Sequence, residues 1–185
     1  MIDETLREAD SKMAAAVEHT RAEFAKIRTG RANPGLINDL PVDYYGSPTP
    51  LQQIAGVSVP EARMLVISPY DQNAMKEIER AISQADLGLN PNNDGTVIRV
   101  VFPELTEERR KEFVKLARER AEEGRVSVRN IRRQAKADIG VLADESEITE
   151  DDARRAEARL QGLTDRHVAD IDKLLANKEK ELLEV

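Results

Sequence analysis

The chain has no cysteine and no tryptophan among its 185 residues, and aromatic residues make up only 3% of it. Without cysteine there can be no disulfide framework, thiolate nucleophile or thiolate-ligated metal. With so few aromatics, a base-stacking platform of the kind used by single-strand nucleic-acid binders is not expected. No apolar run reaches the roughly 18–20 residues that a membrane-spanning helix needs. The opening Met1–Asp10 is charged from its third residue and holds no apolar core of a secretory signal. A cytoplasmic protein without a membrane partner is therefore expected.

The motifs of familiar active sites are also missing. There is no H-E-x-x-H, no phosphate-binding P-loop, no G-x-S-x-G and no G-x-G-x-x-G. Of the two histidines, His167 falls on the apolar spacing of a helix and reads as a core or boundary residue, while His19 sits among polar neighbours. Asn90, Asn92, Asp94 and Gly95 resemble the start of a calcium loop. Its twelfth position would be Val101, so the bidentate carboxylate is missing and a hairpin turn explains the run better. No catalytic residue, metal or cofactor is expected, and an enzyme is disfavoured.

What the chain does have is charge, unevenly spread. Charged residues make up 34% of it, with a net charge of −7. Residues 1–30 carry 5 basic and 6 acidic groups, residues 31–105 carry 5 and 9, residues 106–143 carry 11 and 7, and residues 144–185 carry 7 and 13. One segment is thus net positive and the one after it strongly negative, an asymmetry that points to a polyanionic partner.

Apolar periodicity divides the chain in the same way. Ile2, Leu6, Ala9, Met13, Val17, Phe24 and Ile27 recur at helical spacing, with one longer gap across Thr20 and a stop signal at Gly30. A second helix over 106–143, opened by Thr106, places Phe113, Leu116, Ile131, Ala135, Ile139 and Leu142 on one side. A third, begun by Thr149 and Asp152, places Ala153, Ala156, Leu160, Leu163, His167, Ile171, Leu174 and Leu182 inward. Each of these helices buries only one stripe, so the three are expected to close a long bundle. The stretch 31–105 differs: prolines gather there, and Val42–Tyr45, Ile54–Val59, Met64–Ile67 and Thr96–Phe102 read as strands, with a helix over Asp71–Ala85. The expected fold class is α+β. A three-helix bundle formed by 1–30 and 106–185 carries a small α/β domain, 31–105, inserted between its first and second helices. Two crossings join the parts, near Gly30-Arg31 and near Pro103-Glu104, and a joint of this kind suits hinge motion.

The positive segment carries the functional signal. Arg118, Arg125, Arg129, Arg132 and Lys136 share one side of the second helix, roughly 100° from its predicted apolar face. With Arg133 added, residues 125–136 hold five cations and no acid, which removes the usual i,i+4 partners. Most of these cations are arginine, whose planar fork suits phosphate. Lys26, Arg28 and Arg31 form a second cationic group at the end of the first helix. Two arginine groups at opposite ends of a rod suit a large folded RNA, read through shape and phosphate. One competing reading is a solvated face whose cations form salt bridges to the acidic third helix; another is a helical protein-interaction scaffold whose stripe docks an acidic partner.

Several motifs, in order along nearly the whole chain, resemble the bacterial ribosome recycling factor family: Ile27-Arg28-Thr29-Gly30-Arg31-Ala32, Ile67-Ser68-Pro69-Tyr70-Asp71, Leu87-Gly88-Leu89-Asn90-Pro91, Leu105-Thr106-Glu107-Glu108-Arg109-Arg110 and Arg125-Val126-Ser127-Val128-Arg129-Asn130-Ile131-Arg132-Arg133. The resemblance implies an L-shaped monomer. It implies a factor that, with elongation factor G and GTP, splits the post-termination ribosome into subunits. Under it the bundle binds large-subunit rRNA through Arg28, Arg31, Arg129 and Arg132, with Arg125, Arg133 and Lys136 as further candidates on the same helix. The inserted domain is then the part that elongation factor G pushes, hinged at Gly30, Arg31, Pro103 and Glu104. The loop from Val141 to Glu147 approaches the peptidyl-transferase region.

Overall fold

The computed structural model describes residues 1–184. Val185, the last residue of the predicted bundle segment, lies outside the described residues. Two compact units emerge. One comprises Met1–Phe24 and Val114–Lys180; the other comprises Ala25–Phe113 with residues 181–184. Residues 25–30 and 106–113, expected in the bundle, thus group with the sheet-bearing unit.

The first unit is built from three long helices. Helix α1 (Ile2–Ala25) buries Leu6, Ala9, Met13, Val17, Thr20 and Phe24. Thr20 fills the gap in the apolar pattern, and its hydroxyl donates to the Ala16 carbonyl at 3.0 Å, which satisfies the buried oxygen. The helix stops five residues before Gly30, so Ile27 is buried outside it.

The two other long helices are numbered after the elements of the inserted segment. Helix α4 (Glu107–Asp144) runs 38 residues, about 57 Å at 1.5 Å per residue. Its opening is capped as expected, the Arg109 amide donating to Thr106 Oγ1 at 3.2 Å. Its buried seam shares only Ala135 and Ile139 with the predicted one. Ala117, Ala121, Gly124, Val128, Ala135 and Ile139 face inward, whereas Phe113, Leu116, Ile131 and Leu142 are only half-buried. Where three helices meet closely, small residues hold the centre and larger ones flank it, so a pattern weighted by side-chain size picks out the edge of the stripe.

Helix α5 (Glu150–Leu183) begins with reciprocal bonds between Thr149 and Asp152, at 3.1 Å to Thr149 Oγ1 and 3.3 Å to Asp152 Oδ2. Ala156, Leu160, Thr164, His167 and Ile171 bury its inner face. The turn between α4 and α5 closes with Ser146 at φ +61 and the Glu147 amide bonded to the Leu142 carbonyl at 3.0 Å, a helix end of the left-handed type.

The second unit holds two antiparallel sheets. Strands β1 (Pro41–Tyr44) and β2 (Ser47–Pro50) form a two-stranded ribbon, followed by the single turn α2 (Leu51–Ile54). Strands β3 (Ala55–Glu61), β4 (Met64–Pro69), β5 (Asn90–Asn93) and β6 (Ile98–Val101) form a sheet in the order β3-β4-β6-β5. Leu65 pairs with Val100 and Ile67 with Ile98, and all four are fully buried. Helix α3 (Met75–Gln84) covers them with Met75, Ile78 and Ile82, as predicted, but a 3-10 turn, Gln72–Ala74, replaces its first residues. Burying each such aliphatic side chain contributes about 1.5–3 kcal/mol.

Strands β2 and β5 add to the predicted set. Both are edge strands rich in proline or asparagine, residues that strands generally avoid but edges tolerate. Among the described residues no helix is long and apolar enough to cross a membrane.

Candidate nucleic-acid interface

Recentred on the observed seam, the basic side of α4 lies roughly 80° away at 100° per residue, which turns it toward the groove between α4 and α5. The two helices run antiparallel, and the side chains meet as a ladder. Arg118 Nε lies 2.6 Å from Glu179 Oε1, Arg125 Nη2 lies 2.7 Å from Asp172 Oδ1, and Lys136 Nζ lies 3.0 Å from Glu157 Oε2. Arg132 meets an uncharged partner, its Nη1 donating to Gln161 Oε1 at 2.8 Å. Residues 125–136 hold no acid, as expected, yet most of the stripe is paired, as in the competing reading of a face bridged to the acidic third helix, and the partner acids lie outside that run. They come from α5, and from Glu122 just before the acid-free run, whose carboxylate bonds Arg125 at 3.1 Å and Arg129 at 3.3 Å.

The cations differ in how far they reach solvent. The side chains of Arg118, Arg129 and Lys136 are 65%, 52% and 61% exposed, while that of Arg125 is 19% exposed. Burial opposes the charge on Arg125, but its bonds to Asp172 and Glu122 outweigh that and raise its pKa above the ordinary guanidinium value. Arg133 is exposed, and among the described residues no ion pair engages it.

Arg28 and Arg31 occupy different surroundings. Arg28 turns into the second unit, where Nη2 donates to the Pro103 carbonyl and the guanidinium carbon sits 5.8 Å from the Phe102 ring centre. Burial, and then the nearby charge of Arg109, lowers its pKa. Arg31 points outward and reaches Glu184 at 3.6 Å. The predicted joint residues Gly30, Arg31 and Glu104 line a cavity of about 340 Å³ with Ala62, Arg63 and Leu105. Both chain segments there are tied to one turn. The Ala32 amide donates to the Ala62 carbonyl at 2.7 Å, and the Phe102 amide to the Arg63 carbonyl at 2.7 Å.

The histidines occupy the places expected of them: His19 is exposed, and His167 is buried with Nε2 2.6 Å from Asp10 Oδ1. Among the described residues no group of His, Asp and Glu could hold a metal ion. The residues that sequence reasoning missed are Glu157, Gln161, Asp172 and Glu179. Their signal was available: they recur on the side of α5 that faces the stripe, but only the antiparallel register shows which cation each one meets.

A bundle of long helices with one cation-bearing groove, and a small mixed α/β unit placed in sequence between its first two helices, defines an α+β class in which a helix face is the candidate binding surface. Residues 20–183 match the family model of ribosome recycling factor. The chain is 58% identical to the ribosome-recycling factor of Nocardioides sp. and 57% identical to that of Thermobifida fusca, each over the whole of both chains. A solution structure of a ribosome recycling factor superposes with a TM-score of 0.79 at 45% identity, covering 100% of this chain and 98% of that one. A second structure, of the T. thermophilus ribosome recycling factor with E. coli elongation factor G bound to the E. coli post-termination complex, gives a TM-score of 0.71 at 47% identity over the whole of both chains. The chain belongs to the ribosome recycling factor family, a family of translation factors.

Proposed function

We propose that this protein, acting as a monomer in the cytoplasm with elongation factor G and GTP, disassembles the post-termination ribosome into subunits, and that its bundle grips large-subunit rRNA. The observation that carries the reading is the row of guanidinium groups on α4, joined to family membership over nearly the whole chain. Arg129, Arg132 and Arg133 are the leading phosphate-binding residues, supported by Arg125, Lys136 and Arg31. Arg28 acts mainly by shaping the segment that presents Arg31. The chain supplies binding and leverage, while the nucleotide chemistry belongs to its partner.

The 31–105 segment is the part on which elongation factor G acts, and the bending is assigned to Gly30, Arg31, Pro103 and Glu104. All four lie within the second unit, whose boundaries with the first fall at Phe24–Ala25 and Phe113–Val114, and Gly30 has the wide backbone freedom of a residue without a side chain. The end of α4 with the turn after it, Val141–Glu147, of which Val141–Asp144 are helical, is the segment assigned to the peptidyl-transferase region.

Cosedimentation with large subunits across a salt series tests the grip. Arg129→Ala with Arg133→Ala should weaken binding and reduce the salt slope by about 0.7–0.9 for each phosphate no longer neutralised, with helix content unchanged. Unchanged binding and slope in that double variant would remove the rRNA-gripping role from α4.

A further inference from the structure

The stripe on α4 holds two kinds of cation. Arg118, Arg125 and Lys136 are each occupied by a carboxylate of α5, at 2.6, 2.7 and 3.0 Å. Arg132 faces the neutral Gln161, and Arg133 has no ion-pair partner among the described residues. This division does not follow from helix α4 alone, whose residues 125–136 contain no acid. Glu122, just before that run, pairs with Arg125 and Arg129; the neighbouring helix supplies the rest of the counter-charge with Asp172, Glu179 and Glu157, leaving a neutral amide at the step between them.

We infer that Asp172, Glu179 and Glu157 set the strength of the phosphate grip, by competing with the bound polyanion for the three cations they hold. The inference rests on the α4 stripe being the rRNA-binding surface. Carboxylate and phosphate oxygens accept from the same N–H donors, so a phosphate approaching Arg118, Arg125 or Lys136 must displace or share the resident carboxylate. The exposed pairs of Arg118 and Lys136 are weak enough to exchange and strong enough to be felt, while that of Arg125, whose side chain is mostly buried, gives way less readily. Among the described residues Arg132 and Arg133 face no carboxylate from the start, Arg129 is shared only with Glu122 of its own helix, and the other three are released as the partner closes on the groove. The resulting hold is weaker than the same cations would give if free, which suits a factor that must leave each ribosome after its work.

Isosteric substitutions separate the possibilities because they move binding in opposite directions. Asp172→Asn with Glu179→Gln and Glu157→Gln removes the competitors at nearly constant shape. Gln161→Glu adds one. In cosedimentation with purified large subunits, the triple variant should bind roughly two- to five-fold more tightly for each pair removed. Its salt slope should steepen by up to about 0.9 per freed cation. Gln161→Glu should weaken binding by a similar two- to five-fold. Asp170→Asn, on the flank of α5 turned toward α1, should change neither.

Circular dichroism and the unfolding midpoint show that each variant is folded, and the single variant Asp172→Asn serves where the triple one is not. Equal or weaker binding by the carboxylate variants would overturn the inference, since it would make those acids supports that position the arginines. Arg129→Ala, run alongside, tests the rRNA-gripping role by itself. If it weakens binding while the carboxylate variants do not strengthen it, only the competition falls.

Discussion

Gly124 on α4 faces Thr20 on α1 so closely that a β-carbon at position 124 would lie 2.3 Å from Thr20 Oγ1, and 3.2 Å from Ile171 Cδ1 of α5. All three helices of the bundle therefore meet at one hydrogen-sized side chain. Thr20 has little freedom to retreat, because it is β-branched and its hydroxyl is bonded to the Ala16 carbonyl. Gly124→Ala should destabilise the protein by about 1–3 kcal/mol despite the better helix propensity of alanine. Thr20→Ala in the same chain should recover part of that loss, and a double-mutant cycle in denaturant unfolding measures the coupling.

The link between α1 and α5 should respond to acid. The Asp10 carboxylate is held below its usual pKa, first by the hydrogen bond from His167 and then by the charge of Arg166. A depressed carboxylate contributes stability above its unfolded pKa of about 3.9 and loses it as pH falls through the lower folded value. Asp10→Asn should therefore lower the unfolding midpoint at pH 7 and have progressively less effect below pH 4. Midpoints measured from pH 7 down to 3 for both proteins check this.

The hairpin joining β5 and β6 carries a stronger case of the same kind. The Asp94 carboxylate is lowered to about 2, chiefly by accepting hydrogen bonds from the backbone amides of Val97 and Thr96, with Arg99 adding a charge-assisted bond. Its contribution is complete above pH 4 and disappears as pH falls through about 2. Asp94→Ala should speed amide exchange at Thr96 and Val97 at neutral pH, and the difference from the parent should shrink under strong acid.

Arg28 and Arg31 are separated by three positions and should fail differently when replaced. Arg28→Ala removes the bond to the Pro103 carbonyl and the packing on Phe102, so thermal unfolding should show a loss of about 1–3 kcal/mol. Arg31→Ala touches an exposed cation with one distant partner and should change stability by less than about 0.5 kcal/mol. Large-subunit binding assayed well below the unfolding transition then reports what each contributes to the grip.

Much of the fold could be read from residue order because its elements obey strong local rules. The caps at Thr106 and Thr149, the inward face of α3 and the cores of β4 and β6 all follow from spacing and capping chemistry. Of the α4 seam only Ala135 and Ile139 were legible, because Ala117, Ala121 and Gly124 are chosen for their smallness, and smallness matters only once the partner helices are in place. Strands β2 and β5 escaped for a related reason: Pro48, Pro50, Asn90 and Pro91 favour turns locally, and only pairing to an edge makes them strands. At the candidate interface the cations were legible and their partners were not. Glu122 lies only a few residues from Arg125, but Asp172 lies 47 positions away, and its role depends on register.

That register limits how the chain can vary in length. The pairs between α4 and α5 step backward along one helix as they step forward along the other, from 118 with 179 to 136 with 157. One residue added to α5 between Gln161 and Asp172 would swing every carboxylate beyond it through about 100° and out of the groove. Insertions and deletions should therefore be confined to the Glu145–Thr149 turn and the loops of the sheet-bearing unit, with the two long helices keeping a fixed count between their paired positions.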